Sequence, residues 1–252
     1  MQGNVSLVEA SAPFPAWPFL AGEAHVWIVT ADDHLDDVDT LYTMLSRDER
    51  ERASRIGRGR DRWIAGRSSL RRVLGGCLGR EPREIELRLG TNNKPELIWA
   101  DRGPTPHFNL SHSGKVLLIA VADAPVGVDV EQVRETPDLP EMARLALRPD
   151  ELAALEALPA ARRTEAFIAA WTRKEAYLKA RGLGLGQIRD VAVNVDPDEP
   201  AALLYADDDS DAAARWTLVD LAVDAGYRAA LAVPGDSTVV CRTLRRTGDS
   251  GG

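Results

Sequence analysis

Two carboxylates stand two residues apart in the run Gly127-Val128-Asp129-Val130-Glu131. In a strand, alternate residues share a face, so Asp129 and Glu131 point one way while Val128 and Val130 point toward a core. Like charges that close need a cation or a proton between them. A hard ion such as Mg2+, which takes oxygen ligands and keeps several waters for a phosphorylated substrate, meets that need. A solvated strand face ending in a turn carries the same pattern, so the pair alone leaves both readings open.

A third acid sits in residues 167 to 185, FIAAWTRKEAYLKARGLGL. Phe167, Trp171 and Leu178 recur at steps of four and seven, an apolar stripe expected to anchor a helix in the core. Glu175 and Lys179 lie one turn apart in the order that favours an ion pair, which on a surface contributes little. Gly182 and Gly184 suit a helix C-cap followed by a tight loop. A further polar group, Phe108-Asn109-Leu110-Ser111-His112-Ser113-Gly114, reads as a turn whose hydroxyls, amides and imidazole could cradle phosphate. Adjacent Ser and His also suggest a hydrolase, but no G-x-S-x-G elbow surrounds them. Nucleotide loops also fail: Lys115 is followed by Val116 where a P-loop needs Ser or Thr, and Gly57-x-Gly59 ends at Arg62 where a third Gly is expected.

The elements that must position these groups follow from periodicity. HVWIVTA at 25 to 31 alternates as a strand, and helical patterns follow near 36 to 45, 47 to 56 and 60 to 79. Strand-like segments recur at 85 to 89, 96 to 100, 116 to 122 and 126 to 131. Helices return after Glu131, one opening at Pro149 and a long one from about 161 to 181. Short strands are expected near 188 to 195, 201 to 205, 215 to 221, 227 to 233 and 238 to 243.

The chain has 252 residues, 44% hydrophobic and 28% charged, as in an ordinary globular protein. Its longest apolar runs fall far short of the roughly 20 residues a spanning helix needs. The first residues lack a basic start followed by an apolar block, so a cytoplasmic location is expected. Cys77 and Cys241, with no CxxC pair, suggest neither a disulfide framework nor a zinc site. Net charge is -8, yet residues 47 to 72 hold ten Arg against four acids. That strip is either a solvated helix face laced with ion pairs or a dock for an anion. One basic strip on an acidic protein makes a poor general nucleic-acid binder.

Taken in order, Lys94-Pro95, FNLSHSG, GVDVE and FxxxWxxKExxxKxxGxGL resemble the signature of the 4′-phosphopantetheinyl transferases of the Sfp type, over residues 46 to 186. The resemblance implies an α/β (α+β) chain of two similar lobes related by a pseudo-twofold axis, each a small sheet packed with helices. The lobes are expected at 20–124 and 125–244, with mobile ends at 1–19 and 245–252. It implies transfer of 4′-phosphopantetheine from coenzyme A to a serine of an apo acyl or peptidyl carrier protein, leaving adenosine 3′,5′-bisphosphate. The expected enzyme is a monomer with no nucleic-acid or membrane partner.

By the same resemblance Asp129, Glu131 and Glu175 hold Mg2+, or Mn2+ in its place. Lys94, Pro95, Ser111, His112, Asp129 and Lys179 hold coenzyme A, with His112 near its 3′-phosphate; Arg62 matches a basic family position near the same phosphate, and Arg52 a basic position one helix earlier. Glu175, directly or through a metal-bound water, is the candidate base, and Lys179 offsets charge on the departing group. One departure is Glu49, where compared members place Lys; residues 57 to 61 also look two residues short. The contributions of Arg50, Arg52, Arg55, Arg58 and Arg60 are therefore open. A non-catalytic coenzyme A or nucleotide-binding protein, and more distantly a metal-dependent phosphoesterase, are the alternatives.

Overall fold

A run such as Val116 to Ala122, with no polar residue, is stable in a strand only where both faces of its sheet are covered. The computed structural model, which describes residues 5–7, 14–19, 21–30, 37–90, 94–99 and 103–244, shows that arrangement. In chain order the elements are β1 (Val5–Leu7), β2 (Glu23–Thr30), α1 (Val38–Thr43), α2 (Arg47–Arg55), α3 (Arg60–Leu78), β3 (Leu87–Leu89), β4 (Pro95–Leu97), β5 (His107–Ser113), β6 (Val116–Ala122), β7 (Gly127–Gln132), α4 (Leu139–Ala146), α5 (Pro149–Ala157), α6 (Ala160–Arg181), β8 (Val191–Val193), β9 (Leu203–Ala206), α7 (Ala212–Arg215), β10 (Trp216–Asp220), β11 (Tyr227–Pro234) and β12 (Thr238–Thr243).

A five-stranded sheet runs β1-β12-β2-β6-β5 and a three-stranded sheet runs β10-β11-β7. Leu117, Ile119 and Val121 of β6 pack with Leu70, Val73 and Leu74 of α3. Its alternate residues, Leu118 and Ala120, pack with Val128 and Val130 of β7 and Leu231 of β11. The outer face of the three-stranded sheet, through Ala230 and Ala232, meets Phe167, Ala170 and Tyr177 of α6. The layers are therefore α3, sheet, sheet, α6, and the mixed α/β architecture expected from the sequence is present. The last strand, β12, is parallel to β2 and lies between it and β1. Residues 238–243 thus complete a sheet built mainly from the first half of the chain, across the expected boundary at 124/125. The expectation about the ends falls largely on residues outside the described ones. Among the described residues no helix is long and apolar enough to cross a membrane.

One reading needs correction. FNLSHS is not a polar turn but most of β5, paired antiparallel with β6 throughout, and the turn comes only at Gly114. Asn109 and Ser111 are buried. Their polarity reflects what they face, the backbone edge of β7, and not solvent.

Candidate active site

The site is set by how α6 lies on β7. A Cβ on Gly127 would overlap the Ala176 carbonyl and the Ala180 amide, so only glycine lets the helix backbone approach the strand this closely. Rotation of the helix is fixed by two buried cations on it. Lys174 donates to Glu151 (2.5 Å) and to the carbonyls of Ala146 and Ile188. Arg173 pairs with Asp220 and reaches the carbonyls of Asn194, Asp196 and Glu199. With those two held, Glu175 and Lys179 meet the face of β7 that carries Asp129 and Glu131. The helix ends at Gly182, whose backbone is left-handed (φ 68°), as the sequence led one to expect.

Around this junction Lys179 Nζ lies 2.6 Å from Asp129 Oδ1, 3.2 Å from Ser111 Oγ and 3.9 Å from Glu175 Oε2. The ion pair with Glu175 foreseen from spacing is thus secondary to the one with Asp129. Ser111 donates to Asp129 (2.6 Å) and Ser113 to Glu131 (2.7 Å). Two carboxylate oxygens, Asp129 Oδ2 and Glu175 Oε1, are buried with no hydrogen-bond partner. Such atoms are costly unless something supplies a positive charge.

Among the described residues no three His, Cys, Asp or Glu side chains already form a metal cage. Mg2+ does not require one, because it typically takes one or two carboxylates together with phosphate and water. Two orphaned oxygens, with Glu131 beside them in the same small cavity of about 370 Å³, fit that donor set. Trp171 also lines this cavity: unlike the buried Phe167 and Leu178 it is only partly buried, so the apolar stripe is core at two positions and site wall at the third.

Burial pushes the Glu175 carboxyl from 4.5 up to about 7; Lys179 opposes the rise while Asp129 and Glu131 add to it. Burial also raises Asp129 and Glu131, against the pull of Lys179 on the first and Ser113 on the second. A carboxyl raised by folding keeps its proton in the folded state after the unfolded chain has lost it. Stability from this group therefore falls as pH rises from 4.5 to about 7, and the full penalty applies above that. Without metal, Glu175→Gln should melt above the wild type at pH 8, the gap closing by pH 5. Melting curves at the two pH values check this, and a gap of equal size at both would contradict it.

A larger cleft of about 1410 Å³ opens beside the junction and shares Glu175, Lys179 and His112 with it. Arg52, Arg58, Arg62, Arg67 and Lys94 line it, and Pro95 completes the wall near Lys94. The guanidinium groups of Arg52 and Arg67 each lie 5.7 Å from the Trp63 ring. Other members of the Arg strip are engaged elsewhere: Arg50 reaches the Thr43 carbonyl, Arg55 lies 4.0 Å from Glu51, and Arg60 pairs with Asp61. Glu49, the departure noted in the sequence, is buried between Arg67 (3.3 Å) and Arg71 (2.6 Å) and also accepts the Ser46 amide at the start of α2.

Comparison with known proteins bears on this geometry. Residues 125–232, which include β7 and α6, match the model of the 4′-phosphopantetheinyl transferase superfamily. The 4′-phosphopantetheinyl transferase HetI of Nostoc sp. is 36% identical over 226 residues, covering 88% of this chain and 92% of its own. The chain belongs to the 4′-phosphopantetheinyl transferase family. A putative 4′-phosphopantetheinyl transferase of Synechocystis sp. is 32% identical, with 78% of each chain covered. The solved acyl carrier protein synthase of Mycobacterium tuberculosis overlaps 44% of this chain and 96% of its own, at 24% identity and a TM-score of 0.30.

Within this member of the 4′-phosphopantetheinyl transferase family, each residue that the resemblance assigned to metal or coenzyme A borders one of the two cavities. Asp129, Glu131 and Ser111 line the small one; Arg52, Arg62, Lys94 and Pro95 line the large one; His112, Glu175 and Lys179 line both. Sequence reasoning missed the buried anchor Lys174, and it read Asn109 and Ser113 only as members of a phosphate-cradling turn, not as partners of β7. The signal for the latter two was available: Asn109, Ser111 and Ser113 alternate at the same period as Asp129 and Glu131.

Proposed function

We propose that the chain moves the 4′-phosphopantetheine of coenzyme A onto a serine of an acyl or peptidyl carrier protein, giving adenosine 3′,5′-bisphosphate as the other product. The observation that carries this is the junction itself: three acids and Lys179 at the end of a cleft lined by arginines and Lys94. An Arg-lined wall suits a ligand with a phosphate at each of two places, and buried acids suit the cation that accompanies a diphosphate. Asp129, Glu131 and Glu175 would hold Mg2+ or Mn2+, which when bound withdraws charge from the phosphoryl oxygens.

In this reading Arg52, Arg62, Lys94, Pro95 and His112 hold coenzyme A, with His112 and Arg62 toward its 3′-phosphate. The serine hydroxyl is a weak nucleophile at neutral pH, so it must lose its proton as it attacks. Its oxygen bonds to the phosphorus that bears pantetheine, its proton passes to Glu175 directly or through a water, and the bond from that phosphorus to the adenosine-bearing phosphate breaks. With no metal bound, burial raises Glu175 to about 7, within reach of a proton near physiological pH. Lys179 offsets charge on the departing bisphosphate. The protein supplies positioning and electrostatics, as is general in phosphoryl transfer.

The reading includes two lobes, 20–124 and 125–244, with residues 238–243 of the second completing the sheet of the first, a monomer, a cytoplasmic location, and no nucleic-acid or membrane partner. Mass spectrometry of an apo carrier protein incubated with the enzyme, coenzyme A and Mg2+ tests it: the carrier should gain one phosphopantetheine. No gain on several unrelated carriers would overturn transfer, and magnesium-dependent binding without transfer would point to a non-catalytic coenzyme A binder.

A further inference from the structure

Strand β7 is the edge of its sheet. Among the described residues only β11 pairs with its backbone, and β5, the edge of the other sheet, runs beside it without a backbone ladder. An unpaired buried strand edge is costly, because each N–H that leaves water needs an acceptor. Here the acceptors are side chains. Val128 N–H donates to Asn109 Oδ1 (3.3 Å), Val130 N–H to Ser111 Oγ (3.4 Å) and Gln132 N–H to Ser113 Oγ (3.1 Å). The sequence separation is 19 in all three cases, so the two strands are in parallel register with a side chain standing where a carbonyl would stand in a continuous sheet.

The same two hydroxyls hold the acids. Ser111 donates to Asp129 and Ser113 to Glu131, each at a separation of 18. A hydroxyl has one proton to give and two lone pairs. Ser111 gives its proton to Asp129 and accepts from Val130 N–H and Lys179, so its capacity is full. It cannot also bond coenzyme A while this arrangement stands. His112, between the two serines, points to the opposite side of the strand and borders the cleft.

We infer that Asn109, Ser111 and Ser113 are positioning residues, a side-chain ladder that joins the two sheets and fixes the spacing and aim of Asp129 and Glu131. The S-x-S of β5 and the D-x-E of β7 form one device in matched period. Each serine ties a carboxylate to the backbone amide that follows it, so neither acid can turn away from Glu175 without giving up a bond. The inference about the ladder stands on the hydrogen bonds; its importance for a divalent cation rests on the function proposed above.

The decisive variant is Ser113→Ala, with Ser113→Thr as the conservative control that keeps a hydroxyl on a strand-compatible residue. In the full-length wild type, residue-resolved amide exchange should show Val128, Val130 and Gln132 protected, as Asp129 and Glu131 are by β11. Ser113→Ala should speed exchange at Gln132 by about five- to tenfold and leave Val128 close to wild type. The Mg2+ concentration giving half-maximal coenzyme A binding, read by calorimetry, and half-maximal transfer should both rise about ten- to a hundredfold, with turnover at saturating Mg2+ little changed. Ser113→Thr should restore both. Rapid exchange of the three amides in the wild type would overturn the ladder without any variant. Unchanged exchange and unchanged Mg2+ dependence in Ser113→Ala would overturn the positioning role. If the wild type transfers nothing to any carrier, the proposed function fails, while the exchange data still decide the ladder.

Discussion

Replacing Glu175 by Gln is expected to lower the rate of phosphopantetheine transfer by at least about 10²-fold while the protein stays folded. The side chain keeps its size, its place on α6 and its contact with the small cavity, so what is lost is the ability to accept a proton and to present an anionic oxygen. Burial raises its pKa to about 7 when no metal is bound, which gives the wild-type group basicity; the amide has none. The loss should appear in turnover at saturating coenzyme A and carrier, because the proton moves only as the serine attacks. Single-turnover measurements with circular dichroism as a folding control are the check. A rate within about threefold of the wild type would remove Glu175 from the chemistry.

The neighbouring residue should fail differently. Lys174→Ala removes a fully buried ammonium and leaves the Glu151 carboxylate, 3% exposed in the wild type, with the Arg148 and Val193 amides as its hydrogen-bond partners among the described residues. Breaking one side of a buried ion pair costs about 3–5 kcal/mol, chiefly because the remaining charge is stranded. The two surviving amide bonds place the expected loss near the lower end, about 3 kcal/mol. Because the same ammonium also ties α6 to the carbonyls of Ala146 and Ile188, the loss reaches α4 and the Leu185–Asp190 turn as well. Urea denaturation at pH 7 measures it; a change under about 1 kcal/mol would mean the pair contributes little beyond packing.

Lys174 and Glu175 also show what sequence could and could not convey. Side by side in KE, they look like two surface charges on a helix. Only the packing of α4, α5 and the 185–190 turn on one side, and of β7 on the other, makes the first an anchor and the second a site group. By contrast the D-x-E pair was legible, since a period of two puts Asp129 and Glu131 on one face whatever surrounds the strand. The apolar run of β6, the long helix and its Gly182 cap were legible for the same reason: local chemistry and tertiary packing agree there.

β5 was misread because its inward residues are polar. Periodicity treats polar as outward, and here the inward face meets backbone amides of another sheet, a demand set by residues about twenty positions away in the chain. The return of β12 into the first sheet is likewise non-local. Glu49, an acid within the basic strip, makes sense once Arg67 and Arg71 are seen closing on it from α3. The basic strip then divides: Arg67 and Arg71 pair with Glu49, while Arg52, Arg58 and Arg62 border the cleft along with Arg67.

Titrating coenzyme A into the wild-type protein by calorimetry, once with Mg2+ and once with a chelator, tests most directly whether these acids serve a cation that grips a diphosphate. The account predicts binding tighter by at least about tenfold with Mg2+, and loss of that difference in Asp129→Asn. Equal affinity in both buffers, or a magnesium effect that survives Asp129→Asn intact, would contradict it.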